Sequence, residues 1–247
     1  RSQQGPLTAY KFFNKRWGFI GHLSFLVPCI IYPYYCVIGG WVLKYFCTYV
    51  TFQGQEAVQD GFFSQFITSE WTPVLFMLIF AALCFHIVYR GVEKGIEKYS
   101  RILMPALLII IVIISIYSLF ISHTDEDGTT RTGLQGAAIY FIPNFDGITL
   151  KRFLMIAMDA AGQLFYSLSI AMGIMVAYGS YMKKDVNLGK AVDNIEICDT
   201  LIAVLAGLMI IPSVYVFMGT EGMSAGPGLM FVALPKVFDS LGIFGPI

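Results

Sequence analysis

The stretch from Ala106 to Ile121 contains no charged residue and only two serines. It lies inside a longer apolar segment, 102–122, and an α-helix needs about 20 such residues to cross the hydrocarbon core of a bilayer. Only 13% of the 247 residues are charged, whereas a soluble domain carries about 25%. Because so little polar surface is available, we predict an all-α fold, a polytopic bundle of transmembrane helices.

Five segments have the length and apolar character of membrane-spanning helices. They are 17–46, 71–89, 102–122, 153–182 and 191–217. The last stretch, 220–247, begins with glycine and serine and continues with an apolar run that is too short to span. We therefore expect a lid on the external side there, in place of a sixth span.

Basic residues concentrate in alternate loops, and this pattern predicts the orientation of the chain. The loop at 47–70 contains no Lys or Arg. Most basic residues lie in the N-terminal arm, in the loop after the second span and in the loop after the fourth: Arg1, Lys11, Lys15, Arg16, Arg90, Lys94, Lys98, Arg101, Lys183, Lys184 and Lys190. The loop at 123–152 is mixed, with Arg131, Lys151 and Arg152 against four acidic residues. The positive-inside rule then predicts a cytoplasmic N-terminal side. The formal net charge of zero gives no indication of a nucleic-acid partner.

The fourth span carries polar groups at its centre. Gln163, Ser167 and Ser169 lie in one apolar stretch, and Gly173 follows one turn later. A serine in a membrane helix commonly bonds the carbonyl one turn back, and small residues commonly mark close helix packing. A broken transporter helix would instead offer these oxygens to ions and substrate. The pattern alone leaves both interpretations open.

Two further polar features are unusual for lipid-facing helices. Asp199 lies in the fifth span, where an ionisable group costs at least about 2.5 kcal/mol and therefore faces a cavity, a partner or an ion. Alternatively, that helix begins later and Asp199 is its N-cap. Tyr32, Tyr34 and Tyr35 lie in the middle of the first span and need hydrogen-bond partners from neighbouring helices or from a ligand. The histidines are scattered and no acid–base pair is visible, so we do not expect an enzyme.

Four stretches carry a resemblance to a known family. They are YYCVIGGWVLKY from Tyr34, GVEKGIEKYSRILMP from Gly91, AAGQLFYSLSIAMGIMVAYGSY from Ala160 and AGPGLMFVALP from Ala225. With them the chain resembles the neurotransmitter:sodium symporter family, which includes the bacterial leucine transporter. The resemblance implies part of an inverted-repeat transporter fold with a broken helix, from about the third to the seventh helix and the lid that follows. The whole chain, 1–247, would then be a partial transporter domain.

The resemblance also implies roles for individual residues. Tyr35 resembles the tyrosine that bonds the substrate carboxylate, and Tyr166 the aromatic residue that closes over the substrate. Ser167 resembles the hydroxyl residue between the substrate and the first sodium ion. The other matching positions are Ser169 near the unwound stretch, Ile31 and Met172 in the side-chain pocket, Tyr181 at the cytoplasmic gate, and Gly226 to Gly228 at the tip of the lid.

The resemblance also has implications for ion binding. Gln163 and Ser167 resemble two members of the chloride site in animal transporters. Asp199 would supply a fixed negative charge in place of chloride, or would contact sodium directly. We therefore expect sodium as a co-transported ion, no prosthetic group and no requirement for chloride.

The resulting hypothesis is sodium-coupled symport of a neutral, hydrophobic amino acid across the plasma membrane. Its partners would be the amino-acid substrate, the lipid bilayer and the remaining helices of the same transporter. The short external loop after the first span lacks the insert of animal members, which predicts a prokaryotic protein in the cell (inner) membrane. The alternative is a non-transporting membrane scaffold or a receptor-like fragment without ion coupling.

Overall fold

The computed structural model describes residues 4–59, 61–124, 128–143, 145, 147–182, 186–220, 223 and 229–240. Within these ranges the chain forms helices and one short antiparallel pair of strands, β1 (Ser122–Thr124) and β2 (Thr130–Thr132). The α-helices are α1 Pro6–Phe13, α2 Gly18–Val50, α3 Gly54–Val58, α4 Phe62–Thr68, α5 Thr72–Tyr89, α6 Lys98–Phe120, α7 Gly133–Phe141, α8 Leu150–Ser167, α9 Ile174–Tyr181, α10 Leu188–Met218 and α11 Leu229–Ser240. A 3₁₀ turn, Lys15–Trp17, precedes α2, and a π-helical turn, Val92–Glu97, precedes α6.

Four of the described helical segments are long and apolar enough to cross a bilayer. They are Lys15–Val50, Thr72–Tyr89, Gly95–Phe120 and Leu188–Met218. None of the residues of α5 is buried within the structure. Such apolar helices need lipid or further protein around them, because water would not solvate their surfaces favourably.

The chain divides into two compact units. The first contains residues 1–35 and 144–201, and the second contains residues 36–143 and 202–247. The boundaries therefore fall inside α2, after Tyr35, and inside α10, after Leu201.

Buried serines join α6 to α10 in the second unit. Ser115 donates a hydrogen bond to the Leu205 carbonyl at 2.9 Å, and Ser118 donates one to the Leu208 carbonyl at 2.8 Å. Pro212 has no N–H, so the Leu208 carbonyl one turn earlier lacks its usual helical donor. The hydroxyl of Ser118 replaces that donor, which allows a proline inside a buried helix.

Two further contacts organise the second unit. A Cβ added to Gly40 of α2 would lie 2.7 Å from the backbone nitrogen of Met77 in α5, so only glycine permits this close approach. Phe231 of α11 stacks on Phe63 at 5.3 Å and packs edge-on against Trp41 at 5.6 Å between ring centroids. These aromatic contacts attach α11 to α2 and α4.

Two sequence expectations differ from the structure, and one element was not expected. The segment 153–182 is two helices, α8 and α9, separated by residues 168–173. The interpretation of Asp199 as an N-cap is wrong, because α10 begins at Leu188 and runs on to Met218. The β1–β2 pair was not predicted from the sequence. The predicted lid tip, Gly226 to Gly228, lies outside the described residues.

Candidate substrate and ion site

The candidate site lies in the first unit, around the interruption between α8 and α9. The last helical bonds of α8 are closed by Leu168 and Ile170, whose N–H groups donate to the carbonyls of Leu164 and Phe165. Residues 168–171 form a turn and residues 172–173 a bend, so the regular hydrogen-bond pattern of α8 stops before α9 begins. The interruption therefore presents carbonyl oxygens that a regular helix would have used internally.

Three residues of the interruption have left-handed backbone conformations. Ser169 has φ 54°, Ala171 has φ 64° and Gly173 has φ 72°. For a residue with a Cβ this conformation costs roughly 1–2 kcal/mol. Strained backbone of this kind persists where the surrounding structure fixes it, and it is concentrated at functional sites.

Gly173 fixes the start of α9 against two other elements of the unit. It is buried, and a Cβ at this position would lie 3.1 Å from Pro6 Cβ of α1 and 3.1 Å from the Ser24 carbonyl oxygen of α2. Ser24 itself is only 3% exposed. The requirement for glycine is therefore both conformational and steric, whereas the sequence indicated Gly173 only as part of a polar cluster.

A serine and a carboxylate meet at the end of α8. Ser167 Oγ donates a hydrogen bond to Asp199 Oδ1 of α10 at 2.5 Å. Asp199 is half-buried and lies about 16 Å along α10 from its first residue, given a rise of 1.5 Å per residue. A carboxylate beside the apolar part of a candidate spanning helix needs a partner, and Ser167 supplies a hydrogen bond.

Two tyrosines pack together beside this pair. The ring of Tyr35 stacks on that of Tyr166, with centroids 6.2 Å apart and an interplanar angle of 5°. Tyr34 packs edge-on against Tyr35 at 6.1 Å. Because Tyr166 immediately precedes Ser167, the stacked phenols and the Ser167–Asp199 bond lie at the same end of α8.

The remaining predicted site residues are located by their position on the helices and their burial. Ile31 is half-buried and lies one turn before Tyr35 on α2, so both share a helix face. Met172 is half-buried in the interruption, and Gln163 is exposed one turn before Ser167 on α8. Tyr181, the last residue of α9, is 68% exposed.

The chemistry of the arrangement suits a small cation and a zwitterion. It combines backbone carbonyls of the interruption, a hydroxyl and one carboxylate, which are oxygen ligands for a hard cation, with the N-terminal end of α9, which attracts anionic groups. Backbone groups at the interruption agree with the broken-helix interpretation, which the residue types alone left open beside plain packing. The glycine and serine residues around them were the only sequence signal.

Comparisons with known proteins agree on one family. The model of the Sodium:neurotransmitter symporter family matches residues 63–244. The uncharacterized sodium-dependent transporter YhdH of Bacillus subtilis is 31% identical over 98% of this chain and 51% of its own length. An uncharacterized sodium-dependent transporter of Haemophilus influenzae is 31% identical over 94% of this chain and 49% of its own length. The chain thus spans about half the length of these relatives.

A solved structure agrees with the sequence matches. The crystal structure of MhsT in complex with L-phenylalanine aligns with 100% of this chain and 54% of that chain, with a TM-score of 0.85 and 32% identity. An interrupted, polar helix in a chain with apolar helices long enough to span a bilayer is typical of secondary membrane transporters. The chain belongs to the Sodium:neurotransmitter symporter family. The predicted fold class, a transmembrane helix bundle with a broken helix, is confirmed.

Proposed function

We propose that the complete protein couples the entry of sodium to the uptake of a neutral, hydrophobic amino acid across the cell (inner) membrane. The observation that carries this proposal is the hydrogen bond from Ser167 to Asp199 at the interrupted end of α8. Family membership supports sodium-coupled amino-acid transport in general, and the residues of this chain support the narrower substrate class.

Sodium would bind between the carboxylate and the interruption. Asp199 accepts one hydrogen bond from Ser167, which leaves other lone pairs on its two oxygens for a cation. The carbonyls of residues 167–172 would complete the coordination together with residues of the remaining helices. Asp199 acts either as a direct ligand or as the fixed negative charge that makes chloride unnecessary at Gln163 and Ser167.

The amino acid would bind against the stacked tyrosines. The Tyr35 hydroxyl is a neutral directional donor suited to a substrate carboxylate, and the residue is 50% exposed. Tyr166 would cover the substrate, and Ser169 would contact it near the interruption. Ile31 and Met172 would form an apolar side-chain pocket, which disfavours a charged substrate.

The MhsT structure supports this substrate class, because MhsT is there in complex with L-phenylalanine. Alternating access would open the site to each side of the membrane in turn. Tyr181 would act at the cytoplasmic gate, and the segment 220–247 would act as the external lid.

The test is binding and uptake of a panel of labelled amino acids by the full-length protein in sodium and in potassium. We expect sodium-dependent binding of neutral apolar amino acids, and loss of that binding in Tyr35→Phe with folding intact. The matched control is Tyr34→Phe, whose hydroxyl has no assigned role. Sodium-independent binding, or binding without sodium-driven uptake, would contradict symport and favour a non-transporting scaffold.

A further inference from the structure

The segment that joins α1 to the first membrane-spanning helix combines basic and aromatic side chains. All of them are exposed, and none contributes to the candidate substrate and ion site. The basic side chains are Lys11, Lys15 and Arg16, and the aromatic side chains are Phe12, Phe13 and Trp17, which are 60%, 67% and 53% exposed.

The positive charge of this segment has no acidic counterpart nearby in the sequence. No Asp or Glu precedes Glu56. One described element that packs against α1 from further along the chain is α9, whose sequence IMVAYGSY also contains no acidic residue. The ion pair found among the described residues involves none of the three cations.

Packing holds the segment against the start of α2. A Cβ on Gly21 would lie 2.7 Å from the carbonyl oxygens of both Pro6 and Leu7, so α1 lies directly on α2. The aliphatic carbons of Lys11 approach the Cβ position of Gly18 to 3.7 Å. The aliphatic part of the Lys11 side chain thus packs on α2, which keeps its ammonium group near the N-terminal end of that helix.

We propose that residues 11–17 bind the headgroups of anionic phospholipids at the cytoplasmic face of the membrane. Lys and Arg side chains bind phosphate groups, and aromatic rings prefer the level of the headgroups. The segment overlaps the start of a candidate membrane span, which is where basic clusters meet anionic lipid surfaces. The alternation of basic loops along the chain assigns this end of α2 to the cytoplasmic side.

The test measures lipid binding directly. The full-length protein is purified in detergent, and phosphatidylglycerol or phosphatidylcholine is titrated and counted by native mass spectrometry. We expect tighter retention of phosphatidylglycerol, and weakening of that retention as salt increases, since the contact is electrostatic. Lys15→Gln/Arg16→Gln is expected to weaken it by about fivefold for each removed charge, because each contributes about 1 kcal/mol near an anionic surface.

The chain offers a matched control, the second Lys-Arg doublet at Lys151 and Arg152. Lys151→Gln/Arg152→Gln removes the same charges from the start of α8 and is expected to leave phosphatidylglycerol retention unchanged. Equal losses from the two doublets, or no preference for phosphatidylglycerol in the unaltered protein, would overturn the proposed lipid site. Thermal unfolding of each variant checks that it is folded, and Lys11→Gln provides a second measurement if a doublet variant is not.

Lipid counting requires neither sodium nor substrate. A failure of the proposed symport therefore leaves this result unaffected, and the absence of lipid binding leaves the symport proposal unaffected.

Discussion

The hydroxyl of Ser118 donates a hydrogen bond to the carbonyl of Leu208, 2.8 Å away on the neighbouring helix. Both groups lie in the second unit, and Ser118 is fully buried. Pro212 cannot donate to this carbonyl, so the bond between helices replaces one within α10. The Ser115 carbonyl lies 2.9 Å from the same hydroxyl, so the two acceptors share its single proton. A buried carbonyl without a donor is costly, and Ser118 is the side-chain donor that reaches Leu208.

Ser118→Ala is expected to destabilise the protein by about 1 kcal/mol, because it leaves the Leu208 carbonyl without a donor. The measurement is the apparent melting temperature of the purified full-length protein in detergent. Ser115→Ala is the matched control, since its acceptor, the Leu205 carbonyl, keeps a helical donor in Met209. The control is expected to lower the melting temperature less.

A second substitution makes this prediction sharper. Pro212→Ala restores an N–H that can reach the Leu208 carbonyl, so it is expected to cancel most of the loss in Ser118→Ala. If Ser118→Ala/Pro212→Ala is as unstable as the sum of its single substitutions, the assigned compensation is wrong.

Gly173→Ala is expected to destabilise the start of α9 and to reduce sodium-dependent amino-acid binding. The substitution places a Cβ in a left-handed conformation at roughly 1–2 kcal/mol and brings it against Ser24 and Pro6. Gly179→Ala, in the same helix, meets nothing within 4 Å and is expected to be neutral or stabilising. Equal effects of the two substitutions on melting temperature and binding would show that the backbone conformation and close contacts of Gly173 do not require glycine.

Asp199→Asn is expected to weaken sodium binding by about tenfold or more, because hydrogen bonds and ion contacts to a charged group contribute about 1.5–3 kcal/mol. The measurement is the sodium concentration that half-saturates binding of the labelled substrate to the full-length protein. Asp193→Asn removes an exposed carboxylate from the same helix and should leave this concentration unchanged. An unaltered sodium response in Asp199→Asn would remove this residue from the proposed ion site.

Ala171→Gly is expected to raise the melting temperature, because glycine adopts φ 64° without the roughly 1–2 kcal/mol penalty of a side chain. Ala177→Gly, within α9, is expected to lower it, since glycine costs about 1 kcal/mol in a helix. A decrease in both variants would mean that residue 171 is not strained in the folded protein.

Hydropathy was sufficient to predict the bundle but not its interruption. Long uncharged runs such as the one around Ala106 identify spanning helices, because the bilayer requires that length and composition. The segment 153–182 is long enough to be taken for one span, and the close contacts of Gly173 with α1 and α2 at its break join positions that no local pattern connects. The position of Asp199 was ambiguous for a related reason, since the start of α10 at Leu188 lies outside the apolar run.

The side-chain contacts at the candidate site could likewise be predicted only in part from the sequence. The family resemblance singled out Tyr35, Tyr166 and Ser167, and the structure stacks the two tyrosines. The contact of Ser167 with Asp199 joins positions 32 residues apart, a distance along the chain that a motif does not span. The roles assigned to Ile31, Met172, Gln163 and Tyr181 remain predictions for the binding experiments.

The bond between Ser167 and Asp199 also has a consequence for biosynthesis. While α10 is alone in the bilayer, its carboxylate has no neighbouring donor and opposes insertion by at least about 2.5 kcal/mol. The earlier-synthesised α8 brings the Ser167 hydroxyl that relieves this penalty. We therefore expect the translocon to release α10 into lipid together with α8. Nascent chains that lack Ser167 are expected to remain at the translocon longer before α10 is released.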